Sequence, residues 1–445
     1  MRSAVRCRTQ AADSPRKQRP EQRFGGRNAV RKRFGTRACQ SVAHDHPQRP
    51  SMPQQPHLLV FSHLRWDFVF QRPQHLMTRL ANDYRVVFIE EPMHDPAGPP
   101  RVESRRVGPG GAIEVLVPFT PVAAPGFDDA QLPLLLPLIE RELGQREVRD
   151  YAVWMYTPMA LPLIAGMQPR ALVYDCMDEL SAFKHAPAQL RQRESALMAA
   201  ADLVLCGGPA LYAARHGQHP ELHCLPSAVD AAHFAPPCTA PDDPLALQAQ
   251  AVQGHIARPR LGFFGVIDER MDLALVDAIA AARPDWQLAM VGPVAKISQA
   301  DLPRRANLHW LGMQRYELLP HLLAGWDVCL MPFALNESTR FISPTKTLEY
   351  LAGGKPVVST PIRDVVGLYG DVVRIGHDAA SFVAACDELM QEDAASREYW
   401  HGSAAAVVAA ASWDAAAGRA RDWLAAAMRP VAPDAPIIGA SLRAA

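Results

Sequence analysis

No C-x-x-C pair occurs among the eight cysteines of this 445-residue chain, which fall at Cys7, Cys39, Cys176, Cys206, Cys224, Cys238, Cys329 and Cys386. Neither a zinc site nor a disulfide framework is indicated, no metal is expected, and a reducing cytoplasm is the simplest location. Long hydrophobic runs are also missing. The most apolar stretch, LPLLLPLI at 132–139, is broken by Pro133 and Pro137 and falls far short of the ~20 residues a membrane span requires. A membrane contact would be peripheral, at the inner face. No G-x-G-x-x-G follows the first strand-like run, so a nicotinamide cofactor has little support. Net charge is zero, but the first 50 residues hold 13 Lys+Arg against 3 Asp+Glu, leaving 33 against 43 for the rest. That opening stretch has no hydrophobic periodicity and no apolar signal core, so residues 1–55 read as a disordered extension. It could serve as an arm for nucleic acid or an anionic membrane, or as an Arg-rich transit peptide. The favoured account is that translation starts at Met52, and no nucleic-acid partner is expected because nothing aromatic or helical organises the charges.

What is present is ordinary enzyme-like material, with 49% apolar and 21% charged residues in a chain long enough for two domains. Short β-like runs alternate with helical patterns, which predicts α/β architecture with two Rossmann-like, doubly wound sheets facing a central cleft. HLLVFS, RVVFIE, AIEVLVP, YAVWMY, ALVYD and DLVLC mark strands of a domain over 56–235. The pattern dissolves in a Pro- and Ala-rich stretch and resumes with RLGFFG, WQLAMVG, NLHWLG, DVCLMPF, KPVVST and DVVRI, which mark a second domain over 258–395. The Ala-rich segment 396–430, with Trp400, Trp413 and Trp423 along it, predicts terminal helices packing across the domains.

Ligands of open α/β sheets bind beyond the carboxyl ends of the strands, so strand-to-helix loops are where chemistry is sought. In ISPTKTLEYLAGGKPVVST, Ser343 and Pro344 read as N-cap and first turn of a helix through Thr345 that stops at Gly353 and Gly354. Lys346 in the first turn opposes the helix dipole, and a bound diphosphate accounts for it better than helix stability. One turn deeper on the same face, Glu349 is placed to accept both hydroxyls of a ribose. The segment resembles the nucleotide-binding signature of retaining GT-B glycosyltransferases, here Glu349 followed by Tyr350, Leu351, Ala352, Gly353, Gly354, Lys355, Pro356, Val357 and Val358. The resemblance implies ribose binding by Glu349 and a diphosphate held near Ser343, Pro344, Thr345 and Lys346. It further implies a cation, Arg270, that stabilises the departing diphosphate beside Gly265. The family pattern has a second Glu eight positions before Glu349, where this sequence has Phe341; Glu337 or Ser343 could substitute. Gly292 and Gly312, at the ends of two further strands, are expected to border the base and ribose.

In the first half, FSHLRWDFVFQRPQHLMTRLA supplies Arg65, Trp66, Asp67, Gln71, Arg72 and His75, a set suited to stacking on a sugar and bonding its hydroxyls. This run resembles a bacterial group of teichuronic-acid-type biosynthetic GT-B glycosyltransferases, and the likeness extends through VYDCMDELSAF and over most of 57–395. It implies transfer of a sugar from a nucleoside-diphosphate donor to a glycan or lipid-linked acceptor in cell-surface polysaccharide synthesis. Asp175, Asp178 and Glu179 stand at a strand end, where Asp178 could orient an acceptor hydroxyl, act as base or cap a helix. In the retaining reading a donor phosphate oxygen takes the acceptor proton while Lys346, Arg270 and the helix end hold the leaving group. Two other readings stay open: a nucleotide-sugar 2-epimerase of the same fold, and a non-catalytic glycan- or nucleotide-binding partner.

Overall fold

The computed structural model describes residues 55–237, 240, 242–430 and 438; the basic extension, Met52 and most of the tail after Pro430 lie outside the described residues. The first sheet contains β1 (His57–Ser62), β2 (Arg85–Glu90), β3 (Met93–His94), β4 (Arg101–Val107), β5 (Ile113–Thr120), β6 (Tyr151–Met155), β7 (Leu172–Cys176), β8 (Leu203–Cys206) and β9 (Leu222–Cys224). Its order is β3-β5-β2-β1-β6-β7-β8-β9, with β4 paired to β5. Every pairing is parallel except β4 with β5. That antiparallel ribbon departs from the expected parallel sheet. Its cause is local: Gly108, Gly110 and Gly111 all have positive φ and turn the chain straight back.

The second sheet contains β10 (Arg260–Phe264), β11 (Gln287–Val291), β12 (Leu308–Trp310), β13 (Val328–Met331), β14 (Val357–Ser359) and β15 (Arg374–Ile375). Its order is β12-β11-β10-β13-β14-β15, all parallel. Both sheets therefore reverse strand order beside their first strand, β1 or β10. The loops leaving those strands open onto the crevice where such sheets take ligands.

Strands buried on both faces read as continuous apolar runs, and β1 shows why. Leu59 and Phe61 pack in one core layer and Leu58 and Val60 in another, all four at 0% exposure. The stretch between the sheets is less loose than its composition suggests. Asp243 caps a helix, Pro244–Gln253, by accepting from the Leu245 N–H at 3.1 Å. Gln253 then bonds the Leu322 carbonyl and the Trp326 indole at 2.8 and 2.9 Å.

After the second sheet the chain forms helices Ala394–Ala409 and Trp413–Ala427. Trp400 of the first packs on the core of the second sheet, whereas Trp413, Ala416, Ala420 and Leu424 of the other lie in the core of the first. The Trp413 ring is 1% exposed and stacks on His75 at 4.7 Å and 10°. Trp413→Ala should destabilise the protein by about 3–5 kcal/mol in urea unfolding, because the cavity opens beneath the helix that returns to the first domain. A loss below about 1 kcal/mol would mean that this helix does not hold the halves together.

Candidate active site

Two glycine-bearing strand ends, at Gly265 and Gly292, border the site, and Gly312 backs the second of them. The Gly265 N–H donates to the Val291 carbonyl at 2.9 Å and the Gly292 N–H to the Gly312 carbonyl at 2.8 Å. Gly265 and Gly292 have φ of +146° and +148°, and the crowding explains the residue choice. A Cβ on Gly265 would collide with Lys346 Cε, and one on Gly292 with the Gly265 carbonyl oxygen. Lys346 thus lies directly over the end of β10.

The helix carrying Lys346 and Glu349 runs Lys346–Ala352, with Thr345 at its N-cap position and no side-chain cap. Ser343 is therefore not the cap. Its carbonyl accepts from the Ser227 hydroxyl at 3.1 Å, so the backbone is held outside the helix until Thr345. Glu349 is 8% exposed, and no protein hydrogen bond to its carboxylate exists among the described residues. Burial pushes this carboxyl up to about 7, against the opposing pull of Lys346. Burial likewise lowers the Lys346 ammonium, with Glu349 resisting.

These groups line a cavity of about 490 Å³ between the second sheet and the loop after β1. Gly265, Arg270, Gly292, Thr345, Lys346 and Glu349 form one wall, and Trp66, Asp67 and Gln71 belong to the other. Gly312 is set back from the cavity, which is bordered instead by the next residues, Met313 to Glu317. A smaller chamber of about 80 Å³ adjoins it, sharing Gln71, Arg270, Thr345 and Lys346 and adding Asp178, Ser343 and Pro344. Arg270 lies in an in-plane pair with Asp268, Nε to Oδ1 at 3.0 Å and Nη2 to Oδ2 at 2.7 Å, yet still borders both spaces. Asp178 caps no helix, and burial raises its pKa against Arg270 and Lys296.

Three residues expected to meet a sugar are occupied elsewhere. Arg72 is 3% exposed; its Nη2 reaches Asp175 at 2.8 Å and its Nη1 the Leu225 carbonyl at 2.7 Å. His75, also 3% exposed, lies under Trp413, and burial pulls its imidazole down to about 3. Arg65 pairs with the buried Glu90 at 3.1 Å and faces a separate cavity with Arg105. Polar residues in a loop look alike in sequence whether they face a ligand or one another. Glu337 is not a substitute for the missing acid: its side chain is 80% exposed and pairs with Arg340.

Phe70 and Tyr316 were not anticipated. They stack across the cleft at 4.5 Å and 23°, and His233 covers the other face of Tyr316 at 4.0 Å and 4°. Both rings line the larger cavity. Phe70 lay within a motif already singled out, but nothing in RYELLPHLLAG distinguishes Tyr316 from a helix-face aromatic.

Two Rossmann-like sheets with a ligand-sized cleft between them define the GT-B architecture. Residues 258–392 match the family model for Glycosyl transferases group 1. Over 279 residues the chain is 25% identical to TuaH of Bacillus subtilis (strain 168), a candidate teichuronic acid biosynthesis glycosyltransferase, covering 58% of this chain and 68% of that protein. Sucrose-phosphate synthase of Thermosynechococcus elongatus superposes with a TM-score of 0.61 at 16% identity, over 84% of this chain and 100% of that one. Anabaena Alr3699/HepE, solved with UDP and glucose, gives 0.59 at 16% identity over 83% and 100%. An E. coli trehalose-6-phosphate structure with bound UDP-2-fluoro glucose gives 0.59 at 12% over 84% and 99%.

The raised Glu349 carboxyl makes stability fall with pH. Between its ordinary value of 4.5 and the folded value of about 7 the folded chain binds the extra proton, so rising pH costs stability across that window and the loss persists above it. Glu349→Gln removes this dependence. The Tm difference between variant and wild type should shift in the variant's favour from pH 5 to pH 8, and an equal difference at both pH values would contradict the buried setting.

Proposed function

We propose that the protein is a glycosyltransferase that moves a sugar from a nucleoside-diphosphate donor to a glycan or lipid-linked acceptor in cell-surface polysaccharide synthesis. The observation that carries this reading is the pairing of Lys346 and Glu349 on the wall of one cavity, directly over the glycine end of β10. A half-buried ammonium with no hydrogen-bond partner among the described residues suits a phosphate, and a buried carboxylate one turn on suits a ribose diol. Arg270 is positioned to share the diphosphate charge as it departs. In this mechanism the two cations neutralise the leaving diphosphate without a metal, the acceptor oxygen bonds the anomeric carbon on the face the diphosphate leaves as the C–O bond to it breaks, and the acceptor proton passes to a donor phosphate oxygen, so configuration is retained. Asp178, bordering the smaller chamber next to Arg270, is the group available to orient the incoming hydroxyl.

An epimerase would need several acid and base groups around the sugar ring. Asp175 is held by Arg72, and Glu179 by Arg215 at 2.7 Å and by the Ser181 hydroxyl at 2.6 Å. Asp178 alone of the three acids remains uncommitted, which favours transfer. Among the described residues no helix is long and apolar enough to cross a membrane; in this reading a lipid-linked acceptor is met at the membrane surface.

The test is thermal shift against UDP-, GDP-, ADP- and dTDP-sugars, with Lys346→Ala and Glu349→Ala alongside. One base class should stabilise the wild type, by about 2.7 kcal/mol at a ligand concentration a hundred times Kd, and neither variant should respond. Silence across the whole panel, or variants that shift like the wild type, would remove the donor site.

A further inference from the structure

The motif VYDCMDELSAF ends at Phe183, a residue to which the site as described assigns no task. Phe183 follows the short turn Leu180–Ala182 and reaches from the first half of the chain into the second. The Arg270 guanidinium lies 5.4 Å from its ring centroid and the Lys296 ammonium 4.1 Å. Both cations come from loops that leave strands of the second sheet. One residue further on, the Lys184 N–H donates to Glu269 Oε1 at 3.3 Å, and that oxygen also faces Lys296 at 3.8 Å. Lys296 has φ of +60°, a left-handed conformation that few non-glycine residues hold without support.

Asp268 grips only one edge of Arg270, through Nε and Nη2. Nη1 has no protein hydrogen bond among the described residues, and Arg270 borders both chambers. An in-plane ion pair fixes the direction of a guanidinium but not its tilt. A flat aromatic face beneath it fixes the tilt.

We propose that Phe183 is a positioning residue for Arg270, locking the guanidinium toward a donor diphosphate only when the two halves of the chain are in contact. The proposal rests on the donor-site reading of Arg270, Lys346 and Glu349. All the contacts that residues 183 and 184 supply to Arg270, Glu269 and Lys296 cross from one sheet's domain to the other's, so parting the domains removes the ring from the cation. The cation that meets the leaving group is thereby aligned once the cleft is closed around its substrate.

The experiment uses the full chain and calorimetric titration with UDP and UMP, GDP and GMP, ADP and AMP, and dTDP and dTMP. The readout is the ratio of diphosphate to monophosphate affinity for whichever base binds. Phe183→Leu should reduce that ratio about threefold to tenfold, the range a partly desolvated cation–aromatic contact supports, with monophosphate affinity within about twofold of wild type. Phe183→Tyr, which keeps the ring, should preserve the ratio. The retained monophosphate affinity separates lost positioning from misfolding, which would weaken both ligands together. If Arg270→Ala lowers the ratio and Phe183→Leu does not, the positioning role is wrong and the donor site stands. If neither lowers it, or no nucleotide binds, the donor reading fails and takes the proposal with it.

Discussion

One buried ion pair sets the geometry of everything the first domain contributes to the cleft. Arg72 begins the helix after β1, and Asp175 is the penultimate residue of β7, two strands away in the sheet. Enclosing two opposite charges at 3% and 0% side-chain exposure carries a large desolvation cost, which only near-complete hydrogen bonding offsets. Both carboxylate oxygens are engaged by Arg72, and the Leu225 carbonyl takes a further N–H. The residue before Arg72 is Gln71, on the cavity wall, and the loop after Asp175 runs through Asp178 to Phe183. A single anchored pair therefore aims both loops at the second domain.

The two domains meet through flat surfaces more than through a continuous core. Phe70 lies on Tyr316 on one side of the cleft, and Phe183 lies against Arg270 and Lys296 on the other. Stacks of this kind contribute about 0.5–1.5 kcal/mol each, well below the burial of a whole helix face. The return of the Trp413–Ala427 helix supplies that larger burial. Attachment is thus firm along one seam and lighter around the cavity.

The strands were legible because buried parallel strands are written as uninterrupted apolar runs, and RLGFFG or WQLAMVG has few other uses. That Lys346 and Glu349 share one helix and one cavity wall was legible, because their spacing is a helix turn. The β4 strand was not, since RVESRRV is charged and its pairing depends on the glycines that follow it. Arg72 and His75 were misread because the partners that occupy them, Asp175 and Trp413, are distant in sequence. Tyr316 was illegible for the same reason. Cysteines that looked scattered also gain meaning only in the fold: Cys176, Cys206 and Cys224 are register neighbours across β7, β8 and β9. Desolvation holds all three thiols well above their usual range, Cys176 and Cys206 buried and Cys224 half-buried, which keeps them protonated and poorly reactive.

Val229, just before the chain leaves the first domain, donates its N–H to the Ala411 carbonyl at 2.8 Å, at the point where the chain comes back. The outgoing and incoming segments form a parallel bridge there, Val229 with Ser412. Two covalent links fastened side by side act as a hinge and not as a pair of independent tethers. Rotation about an axis through that bridge is the relative motion that leaves these seam contacts intact. Sliding or twisting of one sheet past the other would break the bridge and shear the Trp413 helix from its seat in the first core.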